Sequence, residues 1–175
     1  QGRLRDWFET ALSRGQKHLP HIREVFAQEG IPQDLAYVAL VESAFKPTAY
    51  SRAKAKGVWQ FISATGKRYG LAVDWWVDER SDPEKATRAA ARYLKDLHDI
   101  FGDWNLALAG HNAGEGKVPR AMRRYRTDDF RRLRKTSGLR REPPASRACR
   151  FAAGRRAVGR SRGSARARCT SRRRG

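Results

Sequence analysis

Glu42 is the side chain best placed to do chemistry in this sequence, because it occupies a position where a helix would carry an apolar residue. Residues 32–45 have the pattern of a helix, and Glu42 falls on its apolar stripe. Leu40 and Val41 extend the apolar character around this helix, so we expect little water near the carboxyl group and a preference for its protonated form. The pattern predicts a general acid, and the alternative is a buried glutamate paired with an arginine or lysine. The stripe consists of Leu35, Val38, Glu42 and Phe45.

Three short motifs, the first of which begins with Glu42, follow one another along the chain. They are E-S-A-F at 42–45, G-V-W-Q-F at 57–61 and H-N-A-G at 111–114. They resemble the motifs of the lytic transglycosylase catalytic domain, written E-S-x-F, G-[LV]-x-Q and A-Y-N-A-G, and most of all those of the membrane-bound lytic murein transglycosylase D type. The resemblance runs from about Leu19 to roughly Arg120, about two-thirds of the chain, and three motifs in register are more specific than one alone.

The resemblance implies a peptidoglycan-cleaving enzyme that works through one glutamate. Glu42 would protonate the oxygen that joins N-acetylmuramic acid to N-acetylglucosamine, and the substrate's own N-acetyl group would stabilise the cation. Glu42 would then accept the proton of the C6 hydroxyl as that oxygen closes on C1, which forms a 1,6-anhydromuramyl end without metal or cofactor. The sequence is consistent with a single acid, because no second carboxylate of the kind that ordinary glycosidases use lies in a comparable apolar setting.

The resemblance also assigns substrate contacts to residues of the motifs. Gln60 and Asn112 are amides, which suit the hydroxyl and acetamido groups of sugars. Ser43 and Phe45 either shape the surroundings of the acid or touch the substrate. Trp59 either offers a flat face to a sugar ring or belongs to the core. The predicted substrate-binding set is Ser43, Phe45, Trp59, Gln60, His111 and Asn112.

His111 departs from the family pattern, which places a tyrosine hydroxyl near the catalytic acid, and Gly110 replaces the usual alanine. Imidazole can still donate a hydrogen bond, but it has a shorter reach and can become charged near neutral pH. We therefore expect the substitution to affect the rate and the pH optimum more than the fold. Another aromatic feature, the pair Trp75 and Trp76, is expected either in the core or in the wall of the cleft.

Helices are predicted to position all three motifs. Pro20 separates the first two helices, and the residue before Pro47 ends the helix of Glu42. The strongest start signal is Asp82-Pro83, a capping side chain followed by proline at the first turn. The predicted helices cover residues 4–12, 21–29, 32–45, 63–69, 83–101 and 103–111. The pattern indicates an all-α domain, and the resemblance implies a lysozyme-like fold of the goose-type lysozyme and lytic transglycosylase kind.

Residues 133–175 differ sharply from the residues before them. Residues 1–132 hold 23 Lys and Arg against 17 Asp and Glu, a net charge of +6, whereas residues 133–175 hold 15 against 1, a net charge of +14. Because this basic tail has no apolar periodicity, we expect it to be disordered and assign the catalytic domain to residues 1–132. Three origins of the tail compete: an electrostatic arm for polyanions, a linker, and translation in the wrong frame, which the near-exclusive use of Arg favours.

A location in the cell envelope or periplasm is expected from the substrate that the resemblance implies. No segment reaches membrane-spanning length and no signal peptide is present, and the chain begins with Gln1, so we expect an export signal or lipid anchor upstream. Cys149 and Cys169 both lie in the tail, so the domain needs no disulfide. The histidines lack zinc spacing, so no metal is predicted. The expected partner is the glycan strand of peptidoglycan, bound by a monomer that requires no nucleic acid.

Two other classes of function stay open. One is a glycan-binding protein of the same fold in which His111 has abolished turnover. The other is a polyanion-binding protein that acts through its Arg-rich tail, with a log affinity that falls steeply with log salt. The tail lacks interleaved aromatic residues, which argues against recognition of single-stranded nucleic acid. Turnover of purified peptidoglycan, compared with retention on nucleic acid at rising salt, separates the three classes.

Overall fold

The computed structural model describes residues 2–136, and within that range the regular structure is entirely helical. The few β-type contacts there are isolated bridges, such as Val73 with Asp78. The all-α prediction is therefore confirmed for these residues, whereas the predictions about most of the tail lie outside them. The α-helices are α1 (Gly2–Gln28), α2 (Val38–Ser43), α3 (Ser63–Arg68), α4 (Pro83–Phe101), α5 (Trp104–Ala113), α6 (Lys117–Tyr125) and α7 (Phe130–Thr136), and the 3-10 helices are Gln33–Tyr37 and Glu79–Ser81.

Helix α1 is continuous through Pro20, so the prediction of two helices separated at this proline is wrong. Pro20 lies on the exposed side of α1, while Ile22 and Phe26 are almost completely buried. Proline inside a helix costs about 3 kcal/mol, and burying two large apolar side chains contributes about 1.5–3 kcal/mol each. Packing of one continuous apolar face therefore outweighs the local cost. The predicted stop at Gly30 is confirmed, since α1 ends two residues earlier and Gly30 adopts a positive φ of 72°.

Helix α4 runs through the main core and begins where the sequence predicts. The Asp82 side chain accepts hydrogen bonds from the backbone N–H groups of Glu84 (2.9 Å) and Lys85 (3.1 Å), which satisfies two donors of the first turn. Gly102 ends the helix in the left-handed conformation. The alanines on the buried face of α4 allow close packing against α1 and against α5, which ends in the third motif. These alanines are Ala86, Ala89, Ala90 and Ala91.

A second, smaller core joins α5, α6 and α7. Leu133 of α7 is fully buried there with Leu106 of α5 and Val118 of α6. The predicted domain boundary after residue 132 falls inside α7 and is therefore too early. Strongly basic composition hid the apolar pair Phe130 and Leu133, whose spacing of three residues suits one face of a helix.

Candidate active site

The segment that carries Glu42 is shorter and more sharply bent than the predicted helix over residues 32–45. A 3-10 turn precedes α2, and the helix ends at Ser43 because Ala44 (φ 54°) and Phe45 (φ 55°) both adopt the left-handed conformation. The Ala44 N–H donates to Leu40 O (2.9 Å), which closes the helix in place of the usual glycine. Phe45 therefore lies beyond the helix, and Glu42 occupies its final turn.

Glu42 is 8% exposed and is the buried carboxylate of residues 2–136. This agrees with the burial expected from its place on the apolar stripe. The cover is incomplete on one side, where Val41 is 39% exposed. The other carboxylates of the described chain lie at the surface or are half-buried, and several have evident structural roles. Asp82 and Asp103 cap helices, and Glu115 is paired with Arg68.

The Ser43 hydroxyl connects the first motif to the second. Its oxygen lies 2.8 Å from Val58 O and 3.2 Å from Ala39 O, so the hydroxyl donates to a backbone carbonyl of either segment. Ser43 is 5% exposed. These bonds hold Ser43 between its own helix and the second motif, next to Glu42 in the chain.

Gln60 stands at the end of a tight loop with a left-handed backbone (φ 51°). Its side-chain nitrogen donates to Gly57 O (2.9 Å) and Ala49 O (3.3 Å), which fixes the plane of the amide group. The residue is half-buried, so part of its surface faces solvent. The structure thus gives Gln60 a fixed amide orientation in the segment that Ser43 ties to α2.

Arg80 holds the loop of the second motif in place, and the sequence pattern did not predict this role. It is 6% exposed, and its guanidinium donates to Asp78 Oδ1 (2.9 Å) and Oδ2 (2.8 Å). The same group donates to the backbone oxygens of Lys54 (2.9 Å), shortly before the second motif, and of Phe61 (3.0 Å), its last residue. Arg80, with help from Lys56, holds the pKa of Asp78 well below its ordinary value. The only sequence signal is an acid and a base two residues apart, which is common at surfaces.

Gly57, the first residue of the second motif, lies directly against the backbone of Arg80. A Cβ atom added at Gly57 would come within 1.7 Å of Arg80 O, and its φ of 84° also favours glycine. The motif glycine is therefore required by a close backbone approach, and this approach fixes the loop that leads to Gln60.

Phe45 and Trp59 belong to the core, so of the two alternatives predicted for each residue the structure favours packing over substrate contact. Both are 0% exposed. The Trp59 indole N–H donates to Thr87 Oγ1 (3.1 Å), and its ring packs 5.6 Å from that of Phe26. The Phe45 ring occupies the space above Gly15 of α1, where a Cβ atom would approach its Cε2 to 2.8 Å. These two aromatic side chains support the motif segments from beneath and offer no surface to a ligand.

The third motif closes α5, which extends two residues beyond its predicted end at His111. His111 and Asn112 are both half-buried. The imidazole packs against Tyr93 of α4, with ring centroids 5.5 Å apart, and the Tyr93 ring lies 6.1 Å from that of Phe61. Burial raises the pKa of Tyr93 to about 12. Tyr93 therefore links the third motif to the second through aromatic contact.

Trp75 and Trp76 are 89% and 88% exposed, so the prediction that places them in the core is wrong, whereas the alternative of a cleft wall stays a prediction. Burial of an aromatic residue depends on where the chain passes, which composition and spacing do not show.

Residues 2–136 contain no group of three His, Cys, Asp or Glu side chains suited to a metal. Within the same residues, no helix is long and apolar enough to cross a membrane.

Comparison with known proteins agrees with this arrangement. The family described as Transglycosylase SLT domain matches residues 22–133. The chain is 35% identical over 133 residues to membrane-bound lytic murein transglycosylase D of Escherichia coli (strain K12), which covers 73% of the chain and 29% of that protein. It is 41% identical over 105 residues to peptidoglycan transglycosylase gp16 of Escherichia phage T7, which covers 58% of the chain and 8% of that protein.

The chain belongs to the Transglycosylase SLT domain family, as the three motifs indicated. Its helical architecture is that of the lysozyme-like domain expected from this resemblance. The chain spans less than a third of the length of the Escherichia coli relative.

Proposed function

We propose that this chain is a lytic transglycosylase that cleaves the β-1,4 bond between N-acetylmuramic acid and N-acetylglucosamine in peptidoglycan. The observation that carries the proposal is Glu42, the buried carboxylate of residues 2–136, at the end of a helix tied to the second motif. Membership of the SLT family and the names of the relatives support the same chemistry.

The proposed reaction uses Glu42 twice. The protonated carboxyl group gives its proton to the departing glycosidic oxygen, and the substrate's N-acetyl group stabilises the cation that forms at C1. The Glu42 carboxylate then takes the proton of the C6 hydroxyl while that oxygen bonds to C1, which regenerates the acid and leaves a 1,6-anhydromuramyl end. Burial of this carboxyl group suits both steps, because each needs a defined proton state.

Gln60 and Asn112 are proposed to bind the glycan, and Ser43 and His111 to set the surroundings of the acid. The fixed amide of Gln60 supports its role, since a preoriented group loses little freedom when a sugar binds. Ser43 acts through the backbone of Val58, and Phe45 and Trp59 act as packing beneath the motifs.

Replacement of the proposed acid is the direct test. Glu42→Gln keeps the size of the side chain but removes its acidic proton, so we expect turnover of purified peptidoglycan to fall by at least about a thousandfold. Glu24→Gln, an exposed change on α1, is the matched control and should turn over normally. The measurement is the release of 1,6-anhydromuropeptides, resolved by chromatography and mass spectrometry. Activity within about tenfold of the parent would contradict the single-glutamate mechanism.

A glycan-binding protein without turnover is the second candidate, and the presence of His111 in place of the family tyrosine favours it. The parent chain would then bind glycan strands and release no anhydro products. Function through the Arg-rich tail lies outside the described residues, and it would appear as salt-sensitive retention on nucleic acid. A location in the cell envelope and a monomeric state remain predictions that follow from the proposed substrate.

A further inference from the structure

Trp75 and Trp76 form the most exposed large apolar surface of residues 2–136. Their exposed fractions are 89% and 88%, and the neighbouring Val77 is 47% exposed. Isolated exposed apolar residues are ordinary, but two adjacent indoles held almost wholly in solvent leave a large apolar area in water. We call this feature the tryptophan tip, which comprises Trp75 and Trp76.

The turn that presents the tryptophan tip has a defined backbone conformation. The Asp74 carboxylate accepts hydrogen bonds from the N–H groups of Trp76 and Val77, both at 2.7 Å, and the Asp74 N–H donates to Val77 O at 2.8 Å. An antiparallel bridge between Val73 and Asp78 closes the turn. The side chains are thus displayed by an ordered turn, so little backbone entropy is lost when they bind a ligand.

The stem of this turn is bonded to the loop that holds Gln60. Asp78, which closes the turn, pairs with Lys56 (2.9 Å) and with Arg80, and Arg80 donates to the carbonyl of Phe61. The tryptophan tip and the second motif therefore belong to one bonded unit. A long ligand that reaches Gln60 could continue along this unit to the indoles.

The charge around the tip distinguishes two classes of ligand. Residues 72–86 contain five acids and two bases, but Lys56 pairs with Asp78 and Lys67 lies near Asp74, so the charges around the tip nearly cancel. An anionic lipid surface is bound through a cluster of basic residues, and residues 72–86 contain only two bases. Sugar rings are suited to the tryptophan tip, because their C–H faces are slightly positive and stack on the negative face of an indole.

We propose that Trp75 and Trp76 form a binding site for the sugar rings of an extended glycan strand, outside the residues that act on the scissile bond. The inference rests on the proposed function, since it takes the ligand to be the same polymer. The tip therefore contributes affinity for long strands rather than chemistry.

The test measures binding in the Glu42→Gln background, so that no strand is cleaved. The probe is soluble glycan strands freed of peptide, and the readouts are the dissociation constant and the tryptophan emission maximum. Trp75→Ala with Trp76→Ala should weaken strand binding at least tenfold and abolish the blue shift of emission that the parent shows. Leu4→Ala with Ile100→Ala, a matched pair of exposed apolar residues elsewhere, should bind as the parent does. Trp75→Phe with Trp76→Phe keeps aromatic faces and should fall between the two.

Unchanged strand affinity in the alanine pair would overturn the inference. A blue shift with phospholipid vesicles, zwitterionic or anionic, and none with glycan strands would also overturn it and assign the tip to a membrane surface. Circular dichroism checks the fold of each variant, and the phenylalanine pair decides the outcome should the alanine pair unfold. Failure of the proposed function is distinguishable, because it would appear as an absence of anhydro products from the parent chain whether or not strands bind.

Discussion

Ala44 is a residue at which local strain supports the shape of the site. It ends α2 with a φ of 54°, where a residue with a Cβ atom is disfavoured by about 1–2 kcal/mol. The reversal that it makes brings Phe45 over Gly15 and lets the chain leave the helix directly after Ser43. The backbone at the first motif is thus set by its surroundings rather than by the preference of the alanine.

Ala44→Gly should raise the free energy of unfolding by about 0.5–1 kcal/mol, because relief of strain exceeds the loss of one buried methyl group. Ala39→Gly is the matched control, since Ala39 lies in the same helix with right-handed geometry and is fully buried. This control should lose about 1–2 kcal/mol. Urea denaturation measures both changes. A loss of stability in Ala44→Gly would show that its methyl contacts matter more than the backbone conformation.

His111→Tyr is expected to raise turnover, because a phenol restores the hydroxyl that the family places beside the acid. The pH–rate profiles of the two chains on one muropeptide substrate provide the comparison. Superimposable profiles would mean that His111 packs on Tyr93 without influence on the acid.

Individual residues were predictable where the signal was local. A carboxylate on an apolar stripe marks Glu42, and its burial follows from that stripe. The fates of Trp59 and Trp76 were not predictable, because one indole is buried and the other exposed according to which chain segments pass nearby. Sequence spacing carries no such information.

The segment from Asp78 to Arg80 is the element that holds the second motif in place. Its ion pair is largely shielded, with Asp78 and Arg80 side chains 21% and 7% exposed. Two of the guanidinium bonds reach the backbone carbonyls of Lys54, before the motif, and Phe61, at its end, so loss of the pair would loosen the loop of Gln60.

Asp78→Asn should lower the free energy of unfolding at neutral pH by about 1–3 kcal/mol, since a charge-assisted pair is lost. Arg80 holds the pKa of Asp78 below its ordinary value of 3.8, so the stabilisation is complete above that pH and decreases as the solution is acidified below it. Stability should therefore depend less steeply on pH below about 4 in the variant than in the parent. Asp99→Asn, an exposed change on α4, is the control. The measurement is urea denaturation at a series of pH values. If the free energy of unfolding fell equally steeply below about pH 4 in the variant and in the parent, the expectation would be contradicted.

Capping signals predicted elements well, and tertiary packing explains the failures. Asp82 and Gly102 mark the ends of α4 by local hydrogen bonding and backbone preference, and the structure agrees at both. The continuity of α1 through Pro20 and the early end of α2 both arise from packing against other helices. Arg80 was missed for the same reason, because its partners lie on a segment that approaches only in the folded chain.

The molecule as a whole consists of a main core around α4 and a smaller core that α7 completes. Leu133 fills the smaller core, so the functional unit includes residues that composition assigns to the basic tail. The resemblance identified the fold. The boundary predicted from the change in charge, after residue 132, falls inside α7 and so lies several residues too early.

A chain that ends at Thr136 should keep its helical circular dichroism, its cooperative unfolding and its activity on soluble glycan fragments. A chain that ends at Arg132 loses Leu133 and should be less stable by about 2–5 kcal/mol, the usual cost of removing a buried leucine. Leu133→Ala in the 175-residue chain separates the loss of this side chain from the loss of the tail. Equal melting curves for the two shortened chains would show that the smaller core does not depend on α7.

The hydrogen bonds from Arg80 to the loop of the second motif also determine when glycan binding is gained during folding and lost during unfolding. The carbonyl partners of Arg80 lie 19 and 26 positions earlier in the chain, so the loop cannot take its final shape until a later segment has been synthesised and has folded against it. The loop between α2 and α3 contains no helix of its own, and its shape depends on a few side-chain and turn hydrogen bonds, which open more readily than the helices of the core. When the protein is warmed, glycan binding should therefore be lost at a lower temperature than the helical circular dichroism. On refolding, glycan binding should return last.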